Sequence, residues 1–264
     1  MPEGDTVYRT AVQLHEALAG RPLTTFDLRV PAHATADLTG RQVLEVVPRG
    51  KHLMTRIEGG LTLHTHLRMD GRWAVYRTGE RWRGGPEFQV RAVLGTERHT
   101  AVGYRLPVVE LLHTAEEARA VGHLGPDLLG PDWDPAEAAR RLLTDPDRPL
   151  AAALLDQRNL AGIGNVYANE LCFLAAVTPW TPVGTVTVLD RLLARAHQLL
   201  DANKLRPGHP TTGTTVPGRE NWVYGRARRP CARCGTTVRS SSHAEDRPAY
   251  WCPRCQHGPA PTGR

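Results

Sequence analysis

The segments PCARCG, residues 230–235, and WCPRCQ, residues 251–256, each hold two cysteines two residues apart, and seventeen residues lie between the pairs. This spacing is typical of a zinc ribbon, in which two tight knuckles complete a tetrahedron of thiolates. The alternative, two disulfides, requires an oxidising compartment. Because so short a hairpin buries little core, we expect one structural Zn²⁺ to stabilise it. Its predicted ligands are Cys231, Cys234, Cys252 and Cys255.

The chain around these cysteines is strongly basic. From Lys204 to Arg264 it holds eleven basic and three acidic residues, a net of +8, whereas the remainder holds 22 basic and 24 acidic residues, a net of −2. Such a patch attracts phosphate backbones. On charge alone, a solvated Arg-rich tail is the alternative. The arginines are interleaved with aromatic residues, which favours nucleic-acid binding over a purely structural ribbon. These aromatics are Trp222, Tyr224, Tyr250 and Trp251.

The segment before the ribbon has helical periodicity. It predicts helices at residues 135–143, 150–157, 165–175 and 187–203, the last opened by the capping pattern Thr187-x-x-Asp190. Residues 205–220 are rich in Pro, Gly and Thr and predict a loop. The fifth cysteine, Cys172, lies in an apolar helix and is expected to be an inert core thiol.

Within that helical segment, residues 157–167 read QRNLAGIGNVY. Gly162 and Gly164 permit a tight turn whose N–H groups, at the start of a helix, suit an anion. The third glycine and the preceding strand of a dinucleotide fingerprint are missing. The motif alone is weak, but beside a basic ribbon we interpret it as a second phosphate contact.

The N-terminal part begins with a helix and continues as strands. Apolar residues every three or four positions predict a helix over residues 5–19. Residues 23–113 form short apolar segments broken by Gly-rich turns, which predicts an antiparallel sandwich or barrel. The chain is therefore expected to be an α+β multidomain protein, with domains at residues 1–118, 119–220 and 221–264.

The composition excludes a membrane protein. No run approaches the length of an apolar membrane span, and 41% hydrophobic residues fit a globular chain. The first residues, MPEGDTVYRT, lack the apolar stretch of a signal peptide. We expect a cytoplasmic protein.

The extreme N-terminus carries candidate chemistry. Removal of the initiator methionine would expose the secondary amine of Pro2 beside the carboxylate of Glu3. Attack of such an amine on a sugar C1′ gives a cationic iminium, which favours elimination of the 3′ phosphate. Glu3 is placed to move protons in that reaction. Lys51 stands out as one of two lysines beside 31 arginines.

Taken together, these motifs resemble the formamidopyrimidine-DNA glycosylase/endonuclease VIII family. The resemblance implies an N-terminal helix plus β-sandwich, a helix–two-turns–helix domain and a C-terminal zinc ribbon, with DNA in a cleft between the two halves. It also implies a bifunctional DNA glycosylase/AP lyase that excises oxidised bases through a Schiff base on Pro2. The matching segments are MPEG, Gly50-Lys51, residues 66–71, GIGN at 162–165, Tyr224-Gly225, and RPAYWCPRCQ at 247–256.

The resemblance assigns roles to individual residues. Pro2 matches the nucleophile, Glu3 the acid/base, and Lys51 a lysine that contacts a phosphate and assists catalysis. Asn165 and Arg247 match a pair that clamps the phosphates of the kinked strand, with Arg247 also in the catalytic set. Three further residues match DNA contacts: Tyr224, His66 and Arg68. Met69, beside Asp70 in the same loop, matches a wedge that fills the gap left by the flipped base, whereas core packing is the alternative for this methionine.

Two departures and two alternatives remain. Asp5-Thr6 replaces the usual Pro-Glu of the family, so a second carboxylate is missing, and the charges of Arg68 and Asp70 in the wedge loop bear on the opposite-base preference. MPEG and RPAYWCPRCQ look closer to endonuclease VIII, which implies oxidised pyrimidines and abasic sites in double-stranded DNA, bound by a monomer at the bacterial nucleoid. The alternatives are a non-catalytic binder of damaged or kinked DNA and a zinc-ribbon module on an unrelated enzyme.

Overall fold

The computed structural model describes residues 2–242 and 247–261. The chain forms two compact units, Met1–His123 and Leu124–Arg264. The second unit contains both the helical segment and the cysteine hairpin. The finer division at residues 118 and 220 stays a prediction.

The first unit begins with helix α1 (Gly4–Leu18) and continues into two four-stranded antiparallel sheets. One sheet has the order β1 (Thr25–Leu28), β6 (Val90–Gly95), β7 (His99–Tyr104), β5 (Arg72–Arg77). The other has the order β2 (Val43–Arg49), β3 (His52–Ile57), β4 (Leu61–His66), β8 (Val108–His113).

Both sheets and the helix bury one common apolar core, so the first unit is a sandwich with a helix packed on it. Strand residues alternate between the core and the other face, as the two-residue period of a strand requires. Leu53, Leu63 and Val109 point inward from the second sheet, and Trp73 and Leu94 from the first. The predicted apolar stripe of α1 joins the same cluster: Val7, Ala11, Leu14 and Leu18.

The second unit contains α3 (Pro135–Leu142), α4 (Leu150–Leu155), α5 (Asn165–Leu174) and α6 (Leu189–Asn203). A short helix, α2 (Ala118–Val121), precedes it in the first unit. The predicted capping box at Thr187 and Asp190 is wrong. Val188 occupies the N-cap without a side-chain bond, because burial of Val186 and Leu189 fixes where α6 begins.

The cysteine hairpin follows α6 and a long loop. Its strands β9 (Arg239–Ser242) and β10 (Pro248–Trp251) pair antiparallel. A small separate core of apolar side chains and thiols supports them. In α5, Cys172 is fully buried and burial raises the pKa of its thiol, as expected for an inert core residue. Among the described residues, no helix combines the length and apolarity needed to cross a membrane.

Candidate active site

Helix α1 runs antiparallel to strand β2. Near the end of the helix, the N–H of Gly20 donates to the carbonyl of Val43 at 2.8 Å. One turn earlier, Nδ1 of His15 accepts a 3.2 Å hydrogen bond from the N–H of Val46, further along the strand. The two contacts fix the relative direction of the helix and the strand.

This direction brings the start of α1 to the end of β2 that carries Lys51. From His15 back to Gly4 the helix covers about 16 Å at about 1.5 Å per residue. From Val46 forward to Arg49, the last strand residue before the Lys51 turn, the strand covers about 10 Å at about 3.3 Å per residue and runs towards the same end. Glu3, the N-cap of α1, is fully buried, and Pro2 is half-buried. The nucleophile and acid/base predicted from sequence therefore lie at the same end of the sheet as the predicted lysine.

Lys51 occupies a two-residue hairpin turn. Arg49 pairs with His52 across β2 and β3, so only Gly50 and Lys51 connect the strands. Gly50 has φ +57°, in the left-handed region that glycine adopts without a steric penalty. A glycine at the first central position is the pattern of a tight hairpin turn. The side chain of Lys51 is thus presented from a short, rigid connection.

The loop after β4 presents Met69 to solvent. Met69 is 59% exposed, so its interpretation as a core residue is wrong. Arg68 adopts φ +45°, and its N–H donates to Nδ1 of His66 at 2.9 Å. The loop closes where the N–H of Gly71 donates to the carbonyl of Leu67, a contact so close that a Cβ at Gly71 would lie 2.6 Å from that oxygen.

A cluster of histidines surrounds the Lys51 turn. Burial, followed by the charge of Lys51, lowers the pKa of His66 to about 4, so this predicted DNA contact is neutral at pH 7. His52 and His64 belong to the same cluster and were missed in the sequence. The His-x-His repeat on β4, opposite the histidine that follows Lys51, is the signal that could have found them.

In the second unit, a glutamine side chain fastens the GIGN turn. Nε2 of Gln157 donates to the carbonyl of Ile163 at 3.0 Å, and its Oε1 accepts from the N–H of Gly162 at 3.1 Å. Gly162 has φ +111°, and Gly164 is the N-cap of α5. Gln157 holds the turn in shape through both ends of its amide, a role that the sequence did not reveal.

The start of α5 is tied to strand β10. Nδ2 of Asn165 donates to the carbonyl of Pro248 at 2.9 Å. Asn169 donates to the carbonyl of Asn165 at 2.7 Å and accepts from the N–H of Tyr250 at 2.7 Å. Because Arg247 directly precedes Pro248, these bonds bring the two predicted phosphate contacts, Asn165 and Arg247, together.

A buried carboxylate organises the segment that carries Tyr224. Glu170, fully buried in α5, accepts 2.8 Å hydrogen bonds from the backbone N–H groups of Trp222, Val223 and Tyr224, and another from the hydroxyl of Thr211. Burial raises the pKa of Glu170, and these donors oppose the shift. A glutamate in an otherwise apolar helical stretch was the available sequence signal.

Two of the interleaved aromatics serve the packing of the ribbon. Trp251 is 2% exposed and packs edge-to-face against Trp180, with the two ring centroids 4.9 Å apart. Trp222 stacks on Phe173 with the two ring centroids 5.5 Å apart, and the guanidinium of Arg233 lies over the ring of Phe173. Their alternation with arginine therefore reflects internal packing as well as basic surface.

The four predicted ligand cysteines converge. Their Sγ atoms all lie within 4.8 Å of one another, and those of Cys234 and Cys252 are 3.5 Å apart. Thiolates about 2.3 Å from a tetrahedral zinc are about 3.8 Å apart, so the spacing fits one metal ion. All four are free thiols, which argues against the disulfide alternative.

Comparisons with known proteins follow the same residues. The model of the formamidopyrimidine-DNA glycosylase N-terminal domain matches residues 1–108, and that of the H2TH domain matches residues 124–203. The chain is 63% identical to a Streptomyces coelicolor protein of the endonuclease 8 type, covering 99% of this chain and 96% of the relative. It is 50% identical to a DNA-(apurinic or apyrimidinic site) lyase of Mycolicibacterium smegmatis, covering 97% and 99%.

Solved structures share the fold at low identity. The Lactococcus lactis formamidopyrimidine-DNA glycosylase complexed with abasic-site DNA superposes with a TM-score of 0.81 at 20% identity. The match covers 97% of this chain and 100% of the Lactococcus lactis chain. A MutM protein complexed with DNA containing carbocyclic 8-oxo-G gives 0.82 at 22% identity, with coverage of 97% and 100%. The chain belongs to the formamidopyrimidine-DNA glycosylase/endonuclease VIII family of DNA repair enzymes.

Proposed function

We propose that this enzyme acts as a bifunctional DNA glycosylase and AP lyase whose nucleophile is the amine of Pro2. The observation that carries the proposal is the shared location of the start of α1 and the Lys51 turn. The antiparallel course of α1 along β2 sets this location. A buried Glu3 next to a half-buried Pro2 suits an acid/base beside a nucleophile.

The reaction follows from the chemistry of a secondary amine. The nitrogen of Pro2 bonds to C1′ as the bond from C1′ to the damaged base breaks, and the proton that the amine loses goes to the departing base. Glu3 supplies a proton to the sugar ring oxygen as the bond between that oxygen and C1′ breaks and the ring opens. The resulting iminium is cationic and withdraws electrons, so loss of a proton from C2′ expels the 3′ phosphate. Water then hydrolyses the iminium and releases Pro2.

The phosphate backbone is held by cations and amide groups. Lys51 contacts a phosphate near the lesion from its turn. Asn165 and Arg247, joined through Pro248, hold phosphates of the kinked strand. Tyr224 and His66 make further DNA contacts. The exposed Met69 and the neighbouring Arg68 enter the gap left by the flipped base.

The metal is one structural Zn²⁺ on the four cysteines. Their convergent sulfurs support this assignment. When bound, the ion supplies folding energy to a hairpin with a small core. The ordered strand β10 then places the carbonyl of Pro248 for its hydrogen bond with Asn165, and Arg247 directly precedes that carbonyl's residue.

The substrate is double-stranded DNA with oxidised pyrimidines or abasic sites, bound by a monomer at the bacterial nucleoid. Support comes from the names of the relatives, which are bacterial and of the endonuclease 8 type. The abasic-site DNA complexes among the structural neighbours support the same class of ligand.

Borohydride trapping tests this function. The wild type should form a covalent adduct with duplexes that contain thymine glycol or an abasic site, and should nick both. Pro2→Leu, which retains the initiator methionine and lacks the ring amine, should form no adduct and nick neither duplex. Glu16→Ala, at an exposed position of α1, should form the adduct and nick both duplexes as the wild type does. Binding without adduct or scission by the wild type would favour the non-catalytic binder instead.

A further inference from the structure

A hydrogen-bonded chain of three side chains runs across the second sheet to the residue after Lys51. Oε2 of Glu110, on β8, lies 2.8 Å from Nδ1 of His64, on β4. Nε2 of His64 lies 2.8 Å from Nδ1 of His52, the first residue of β3. The strand register explains the alignment, because His64 pairs with Glu110 and His66 pairs with His52.

The chemistry of the partners sets the direction of this relay. An ionised carboxylate only accepts hydrogen bonds, so Nδ1–H of His64 donates to Glu110. In the neutral imidazole Nε2 is then the acceptor, and Nδ1–H of His52 donates to it. The relay therefore selects one tautomer at each histidine and fixes the ring orientation of His52.

The electrostatics keep positive charge away from Lys51. Burial, followed by the charges of His66, His64, His123 and Lys51, lowers the pKa of His52 to about 3. The charge of Arg68 likewise lowers the pKa of His66. Protonation of His52 is therefore disfavoured beside the Lys51 ammonium, and its imidazole is neutral at pH 7.

We propose that Glu110, His64 and His52 form a relay that positions Lys51 for its contact with the DNA phosphate. Only Gly50 and Lys51 separate Arg49 from His52, so a fixed His52 fixes the turn. The three relay residues are positioning residues, and their role rests on the proposed function of Lys51.

A double-mutant cycle separates this role from a general effect on stability. Glu110 is the residue to change, because its side chain is 51% exposed and the fold should tolerate Glu110→Ala. The matched control is Glu45→Ala in the same sheet. Its carboxylate is 40% exposed and pairs with Arg56, which is not part of the relay. Each is made in the wild type and in Lys51→Met, and base excision is measured under single-turnover conditions.

Glu110→Ala should slow excision about 10-fold in the wild type, since a small shift of Lys51 costs less than the roughly 100-fold of a 1 Å misplacement, and much less in Lys51→Met. Glu110→Gln, which keeps an acceptor oxygen, should restore most of the rate, and Glu45→Ala should change neither background. Equal slowing in both backgrounds, or an unchanged rate in the wild type, would overturn the proposal.

Nitrogen NMR of the imidazoles tests the relay without activity. The wild type should show His52 and His64 protonated at Nδ1, and Glu110→Ala should lose this preference. If the wild type has these tautomers but excises no base, the proposed function fails while the relay stands. If His52 lacks the Nδ1–H, the relay fails whatever the activity.

Discussion

The side-chain amide of Asn165 donates a 2.9 Å hydrogen bond to the backbone carbonyl of Pro248, 83 residues further along the chain. This bond joins the start of helix α5 to the hairpin that the cysteines close. Asn165 is fully buried and Arg247 is next to its partner, so one contact sets the position of two proposed phosphate ligands. The cysteine hairpin thus has a structural connection to the residues proposed to bind DNA.

Asn165→Ala should weaken binding to a duplex with an abasic-site analogue about 10-fold, because the carbonyl of Pro248 loses its shorter hydrogen bond and Arg247 loses its anchor. The measurement is a fluorescence anisotropy titration at fixed salt. Gln198→Ala, which removes a side chain bonded to Arg195 on α6, should leave the affinity unchanged. If Asn165→Ala bound the duplex with wild-type affinity, Asn165 would not belong to the DNA-binding interface.

Glu170→Ala should destabilise the second unit by about 3 kcal/mol, since three backbone N–H groups would be buried without their acceptor. Urea unfolding measures the change, and Glu170→Gln should recover part of it through one acceptor oxygen. Asp147→Ala, at an exposed carboxylate of the same unit, provides the comparison and should have no measurable effect. Equal stability of Glu170→Ala and the wild type would show that the buried carboxylate is dispensable.

Cys252→Ser should abolish stoichiometric zinc binding and weaken DNA binding together, because a hydroxyl replaces one of four thiolates and β10 loses its anchor. Atomic emission and anisotropy report the two losses. Cys172→Ala, at the buried thiol outside the cluster, should keep one zinc per chain. Retention of zinc and full lyase activity by Cys252→Ser would contradict both the ligand set and the positioning of Arg247.

Acid should destabilise strands β3 and β4 before the carboxylates titrate. The pKa values of His52 and His66 fall from 6.5 to about 3 and about 4 in the folded state. Below pH 6.5 the unfolded state therefore binds more protons, and stability falls as pH drops towards 4 by up to about 1.4 kcal/mol per unit for each group. Amide exchange of these strands between pH 7 and 5 measures the slope, which His52→Gln should reduce. A slope unaffected by that substitution would exclude His52 as a cause.

Much of this architecture follows from local patterns in the sequence. Apolar periodicity placed α1 and α5 within about one residue of their observed ends, and cysteine spacing identified the cluster. Local patterns do not show which distant residues meet. The relay from Glu110 to His52 depends on strand register, and the bonds of Glu170 depend on a loop more than fifty residues away. The Thr187 box failed because packing of neighbouring apolar residues decided the start of α6.

The most direct test of the central claim is mass spectrometry of the borohydride-reduced complex with abasic DNA, after digestion to peptides and nucleotides. We expect the deoxyribose mass on a peptide that begins at Pro2, on the ring nitrogen, with the initiator methionine absent. Attachment of the sugar to Lys51 or another side chain, or to an active chain that keeps its methionine, would contradict it.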